Sequence, residues 1–143
     1  MSRTDNVGSA SAKGTLLVVD DEEDVLGVVT EYLSAQGYRV VTASSGREAM
    51  ESLRVATVPF DVAVIDWTLP DVAGDDLVQH IREVQPRCPI LLTTGHSDDV
   101  LADAMFGDLV ASIVRKPFTM RALATQVETL LLESSMHEPC HDF

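Results

Sequence analysis

Val62-Ala63-Val64-Ile65-Asp66-Trp67-Thr68-Leu69-Pro70 opens as an apolar run with β-branched residues and breaks abruptly at a carboxylate. Shortly after that carboxylate a Leu-Pro pair ends any regular structure. A short continuous apolar run bounded by a breaker is the pattern of a strand buried on both faces, as in a parallel sheet. Such a strand carries Asp66 to its own exit point, which is a way of making a reactive carboxylate.

The same pattern recurs outward in both directions. Thr15-Leu16-Leu17-Val18-Val19 reads as a first buried strand and stops at Asp20-Asp21-Glu22-Glu23-Asp24. Acids suit the first turn of a helix through the macrodipole, which explains Glu22, Glu23 and Asp24 but not Asp20 and Asp21 at the strand's end. Val25, Leu26, Val29, Tyr32 and Leu33 then follow helical spacing, closed by Gly37. A second strand is expected over Tyr38–Ala43. Ser44 or Ser45 is placed to cap a helix whose apolar stripe is Ala49, Met50, Leu53 and Val55. The third strand is expected over Asp61–Ile65. Leu77, Val78, Ile81 and Val84 mark the next helix, stopped by Pro86. Pro89–Thr94 reads as a fourth strand. A short helix is expected near Ser97-Asp98-Asp99, carrying Val100, Leu101, Ala104, Met105 and Phe106. Leu109–Val114 contains the fifth strand, ending at Arg115-Lys116-Pro117-Phe118. Thr119 caps the last helix, which presents Leu123, Val127, Leu130 and Leu131. Residues 1–13 read as a flexible N-terminal tail, 14–133 as one domain and 134–143 as a polar C-terminal tail.

Five strands alternating with five helices imply an α/β fold, a parallel sheet covered on both faces and joined by right-handed crossovers. Sites in such sheets lie at the carboxyl ends of the strands. Strands one, three, four and five end in Asp20-Asp21, Asp66, Thr94 and Lys116. Each alone is an ordinary turn residue. Together, on four strands, they point to one crevice.

The bulk composition narrows the field. The 143 residues fit one domain, and the net charge of −13 opposes general binding to a nucleic-acid backbone. It suits cations and basic partner surfaces. Cys88 and Cys140 have no metal-ligand or redox spacing, so reduced thiols in a cytoplasmic protein are expected. No run approaches the ~18 apolar residues of a membrane span. The N-terminus has no secretory h-region.

Leu17-Val18-Val19-Asp20-Asp21-Glu22, Val64-Ile65-Asp66 with Leu69-Pro70 and Gly74, Thr93-Thr94-Gly95 and Lys116-Pro117-Phe118 together resemble the receiver domain of two-component response regulators. The resemblance covers roughly residues 14–133. It implies a flavodoxin-like (βα)5 fold with sheet order 2-1-3-4-5. It implies Asp66 as phosphoacceptor, loaded by a histidine kinase or histidine phosphotransfer protein, with catalysis limited to the domain's own phosphoryl transfer and dephosphorylation. Mg²⁺ would be bound by Asp21, Asp66 and the main-chain carbonyl of Thr68, with Asp20 acting largely through water. Lys116 would pair with a phosphoryl oxygen, Thr94 would donate its hydroxyl to another, and Lys116–Pro117 would be cis. The output would be a switched contact with an unidentified downstream protein, by a monomer or a phosphorylation-dependent dimer.

Some positions depart from the family. The usual aromatic three before the strand-five lysine is Ile113, which removes the ring whose rotamer reports the state of the threonine. His96 and Thr68 lie where the family tunes hydrolysis of the aspartyl phosphate. Trp67 is placed either to cover the site or to pack on the following helix. Gly27 interrupts the first helix without a sequence-level reason. Thr94-Gly95-His96-Ser97-Asp98 is similar to receivers of hybrid histidine kinases, which relay phosphate, so a relay module stands beside a stand-alone switch. Only ten polar residues follow the last helix, so no DNA-binding output domain is expected. A phosphohydrolase of the haloacid dehalogenase type would need a second Asp where Thr68 stands. A flavin-binding flavodoxin would need a phosphate cradle where the five acids stand.

Overall fold

A computed structural model describes residues 13–95 and 109–137 of the chain. Five parallel strands form one sheet: β1 (Thr15–Val19), β2 (Arg39–Ala43), β3 (Val62–Asp66), β4 (Ile90–Thr94) and β5 (Ser112–Arg115). Their order across the sheet is β2-β1-β3-β4-β5, which is the expected 2-1-3-4-5. Among the described residues four helices accompany them: α1 (Glu23–Ala35), α2 (Gly46–Val55), α3 (Gly74–Val84) and α4 (Met120–His137). The helix expected around residues 97–106 falls outside the described residues. The register is regular: Leu17 faces Val41 on one side and Ala63 on the other, and Asp66 lies opposite Thr93.

The period-2 alternation of the strands sorts their side chains into two cores. Leu17 and Val19 of β1, Ala63 and Ile65 of β3 and Ile90 and Leu92 of β4 meet the inner faces of α2 and α3. Leu16, Val18, Val62, Val64 and Leu91 meet α1 and α4 on the other side. The central strands are therefore buried on both faces, as their unbroken apolar runs require.

Several boundaries move by a residue or two. Tyr38 precedes β2 rather than starting it, and Asp66 belongs to β3. Pro89 stays outside β4 because it has no N–H to give the ladder. β5 starts at Ser112, with Leu109 and Val110 ahead of it. Val55 and Val84 are 55% and 43% exposed, so neither belongs to its helix's buried stripe. Both close their helices, where the chain is already turning away from the sheet. α4 runs on to His137, past the expected end at residue 133.

Helix ends follow the expected chemistry. Ser45, not Ser44, caps α2 by accepting from the Glu48 N–H, and the Glu48 carboxylate accepts from the Ser44 N–H in return. Thr119 Oγ1 accepts from the Ala122 N–H and starts α4. Gly37, at φ +103°, supplies the left-handed residue past α1. Arg82 of α3 donates to the carbonyls of Pro86 and Cys88 and holds the turn into β4. Gly27 has nothing within 4 Å of where a Cβ would stand, so packing does not explain it. No helix of the described residues is long and apolar enough to cross a membrane.

Candidate functional site

Parallel strands put all their carboxyl ends on one edge of the sheet, and there the candidate residues meet. Asp20 follows β1, its own N–H bonded to the Ala43 carbonyl. Asp66 closes β3, and Thr94 closes β4. Lys116 follows β5, its N–H bonded to the Thr94 carbonyl at 2.7 Å. The Lys116–Pro117 peptide is cis, as expected.

The side chains converge as well as the backbones. Lys116 Nζ donates to Asp20 Oδ2 at 3.2 Å and stands 3.5 Å from Asp66 Oδ2. Asp20 and Asp66 are almost fully buried, at 4% and 2% exposure, whereas Asp21 is exposed. The other oxygen of Asp20 accepts from the Glu22 N–H at the start of α1. Asp66 Oδ1 lies 3.3 Å from the Thr68 N–H and 3.4 Å from its hydroxyl. Thr94 is fully buried beneath this edge.

Asp20, Asp21 and Asp66 each offer a carboxylate oxygen within 4.8 Å of the others. Three oxygen donors without a nitrogen or sulfur suit a hard divalent cation of the Mg²⁺ class. Asp66 itself shows the strain of this crowding. Burial, then the Asp20 carboxylate, push its pKa up to about 6 against the pull of Lys116 and the Thr68 N–H. Burial acts to lower the Lys116 ammonium, but Asp66 and Asp20 together outweigh it and hold it above its ordinary value. The donor set and the strained carboxylate both fit a cation.

Trp67 does not lie over the carboxylates. Its ring packs in the α2–α3 core and over Gly74, where a Cβ would come within 2.5 Å of Trp67 Cε3. Glycine at 74 is thus required by the tryptophan beside Asp66. Ile113 is half-buried against the same core and pairs with Leu92. It has no ring to swing. His96 lies outside the described residues.

One residue of this edge escaped the sequence reading. Asp71, in the loop after Asp66, accepts from the Gly46 N–H at 2.9 Å and the Arg47 N–H at 3.0 Å at the start of α2. Those two amides hold its carboxyl below the usual range. Pro70-Asp71 reads locally as a turn. Its partner lies on another helix, so no local signal could reveal the contact.

A doubly wound parallel sheet with three carboxylates, a buried threonine and a lysine at its carboxyl edge is the architecture of a receiver-type signalling module. The family model described as "Response regulator receiver domain" matches residues 16–128, and the chain belongs to that family. Over 123 residues it is 30% identical to the response regulator SaeR of Staphylococcus epidermidis, covering 84% of this chain and 51% of that protein. Over 128 residues it is 32% identical to the sensor kinase CckA of Brucella abortus, covering 90% of this chain and 13% of that protein. The chain therefore spans about half or less of these curated relatives. Its backbone is similar to a crystal structure of a response regulator receiver domain protein from Clostridium thermocellum, with a TM-score of 0.80, 26% identity and coverage of 86% of this chain and 98% of that one. Residues 16–128 thus form a receiver domain of the two-component type, which is a signalling domain.

Proposed function

We propose that Asp66 is the phosphoacceptor, loaded in a Mg²⁺-dependent transfer from the phosphohistidine of a histidine kinase or phosphotransfer protein. The observation that carries this reading is the convergence of Asp20, Asp21 and Lys116 on Asp66 at one edge of the sheet. An Asp66 oxygen attacks phosphorus, the phosphorus–nitrogen bond of the donor breaks, and its imidazole leaves with the electron pair. Asp66 must be ionised to attack, and Lys116 favours that form. Lys116 then has a phosphoryl oxygen within reach in place of the Asp66 charge. The Thr94 hydroxyl takes a second oxygen and couples loading to the chain that follows β4.

Asp21, Asp66 and the Thr68 carbonyl would hold the cation, with Asp20 acting largely through water. Bound Mg²⁺ supplies the positive charge that lets an anionic nucleophile meet an anionic donor. Later attack by water on phosphorus breaks its bond to the Asp66 oxygen and releases inorganic phosphate and the free carboxylate, with Thr68 and His96 as the tuning positions. The readout is a changed protein contact, made in the cytoplasm where a phosphohistidine donor charged from ATP resides. Lys116 lines a cleft of about 310 Å³ together with Val25, Val28, Phe118, Met120, Glu22 and Asp24. A lining of apolar and acidic side chains suits a donor surface that carries apolar and basic residues. The match to part of a sensor kinase supports a second form of the same reading, a receiver that passes its phosphoryl group onward.

The test is incubation with Mg²⁺ and acetyl phosphate, read by mass spectrometry. One added phosphoryl group is expected, lost in Asp66→Asn and on removal of Mg²⁺. No adduct, or an adduct that survives Asp66→Asn, overturns the reading.

A further inference from the structure

We infer that Asp71 is a positioning residue for cation binding at Asp66, fastening the loop that carries the Thr68 carbonyl to the N-terminus of α2. The inference deepens the phosphoacceptor reading and rests on it. The loop leaves β3 with the Trp67 N–H bonded to the Thr93 carbonyl at 2.9 Å and enters α3 at Gly74 beneath the Trp67 ring. Between those anchors Leu69 is buried in the core and Val72 packs partly against it, whereas Thr68 and Asp71 themselves are exposed. At Asp71 the loop is tied to α2. The Asp71 carboxylate takes both the Gly46 and the Arg47 amide, and Val72 lies so close that a Cβ on Gly46 would fall 2.5 Å from its own Cβ.

A helix start needs acceptors for its first amides, and α2 draws them from two sources. Ser45 serves the Glu48 N–H from the helix's own N-cap, while Asp71 serves Gly46 and Arg47 from the loop. The first cap acts on the helix alone. The second also fixes the loop, and Thr68 lies between Asp66 and this tether. Mg²⁺ demands near-ideal octahedral geometry, so a wandering carbonyl ligand weakens binding even when the carboxylates are intact.

The two caps make the test. Mg²⁺ binding is measured by calorimetry and by Trp67 fluorescence without any phosphodonor, for wild type, Asp71→Ala, Asp71→Asn and Ser45→Ala. Labelling by acetyl phosphate is then followed across a Mg²⁺ series. Asp71→Ala should raise the half-saturating Mg²⁺ concentration about tenfold, the lower end expected for residues that orient metal ligands. Its labelling rate at saturating Mg²⁺ should stay near wild type. Asp71→Asn, which keeps one acceptor oxygen, should lie between, and it decides the matter if Asp71→Ala fails to fold. Ser45→Ala should lower the melting temperature and leave the Mg²⁺ midpoint in place. An unmoved midpoint in the Asp71 variants, or an equal shift in Ser45→Ala, overturns the inference while the phosphoacceptor reading stands. A wild type that neither binds Mg²⁺ nor takes a phosphoryl group overturns both.

Discussion

Lys116 Nζ stands 3.5 Å from Asp66 Oδ2, and the same ammonium donates to Asp20. One cation thus faces two buried carboxylates. Removing a charge that compensates buried ions leaves them exposed to each other and costs more than the pair was worth. Lys116→Ala should therefore destabilise the cation-free protein at pH 7.5 by about 1–3 kcal/mol, below the figure for a fully enclosed pair because the lysine side chain is 27% exposed. Mg²⁺ should restore most of the loss. Urea unfolding with EDTA and with Mg²⁺ measures both effects, and an unchanged EDTA midpoint would show that solvent, not Lys116, balances the carboxylates.

Two glycines should respond in opposite senses to the same substitution. Gly27 lies within α1 with open space at its Cβ position, so Gly27→Ala should stabilise the protein by about 1 kcal/mol through helix propensity alone. Gly74 lies under Trp67, and an alanine there would meet the ring at 2.5 Å and the Trp67 carbonyl oxygen at 2.8 Å. Gly74→Ala should cost about 1–3 kcal/mol and shift Trp67 emission as the ring is displaced. Thermal melts and emission spectra report the pair. Similar shifts for both variants would contradict the packing described for Trp67.

These glycines also mark what the amino-acid pattern could and could not reveal. The strands were legible because β1, β3 and β4 are apolar on both faces. The place of Asp66 at a strand's end was legible because a carboxylate interrupts such a run. Convergence of Asp20, Asp66, Thr94 and Lys116 followed from the rule that parallel strands share one carboxyl edge. The direction of Trp67 was not legible, since an indole after a strand can turn either way until Gly74 makes room. Asp71 was invisible for a different reason. Its partners are amides, which every residue but proline carries, on a helix two elements back. Val55 and Val84 were misplaced because periodicity does not say where a helix leaves the sheet.

Cys88 should be inert in the native protein. It is 3% exposed, its Sγ–H points to the Pro89 carbonyl, and burial pushes the thiol up to about 12 despite the nearby Arg82. At pH 8 the thiolate is then on the order of one in ten thousand of the population, too little for alkylation. Iodoacetamide followed by peptide mapping should leave the Cys88 peptide unmodified until urea unfolds the chain. The sign of the linked stability follows. A thiol raised in the folded state keeps its full contribution below its ordinary value of 9.0 and loses it progressively as pH climbs towards 12. Cys88→Ala should therefore flatten the alkaline limb of the stability curve. Native labelling at pH 8 would sink the assignment.

Asp66 makes the corresponding prediction on the acid side. In the cation-free protein its pKa is pushed from 3.8 up to about 6, first by burial and then by Asp20. At pH below 3.8 the carboxyl is protonated in folded and unfolded chains alike, and its burial carries no ionisation penalty. Between 3.8 and 6 the unfolded chain releases the proton first, so stability falls as pH rises through that window. Above it the penalty is constant, on the order of 2 kcal/mol after allowance for solvent at the rim of the site. Asp66→Asn, close in shape and without charge, should match wild type near pH 4 and exceed it by that amount at pH 7.5 in EDTA. With Mg²⁺ present the order should invert, because only wild type gains from a cation that prefers the ionised carboxylate. Chemical denaturation at the two pH values, with and without Mg²⁺, gives the four numbers required. An equal effect of Asp66→Asn at pH 4 and pH 7.5 would mean that the carboxylate is ionised at no cost, and that the crowding of Asp20, Asp21 and Asp66 stores nothing for a cation to release.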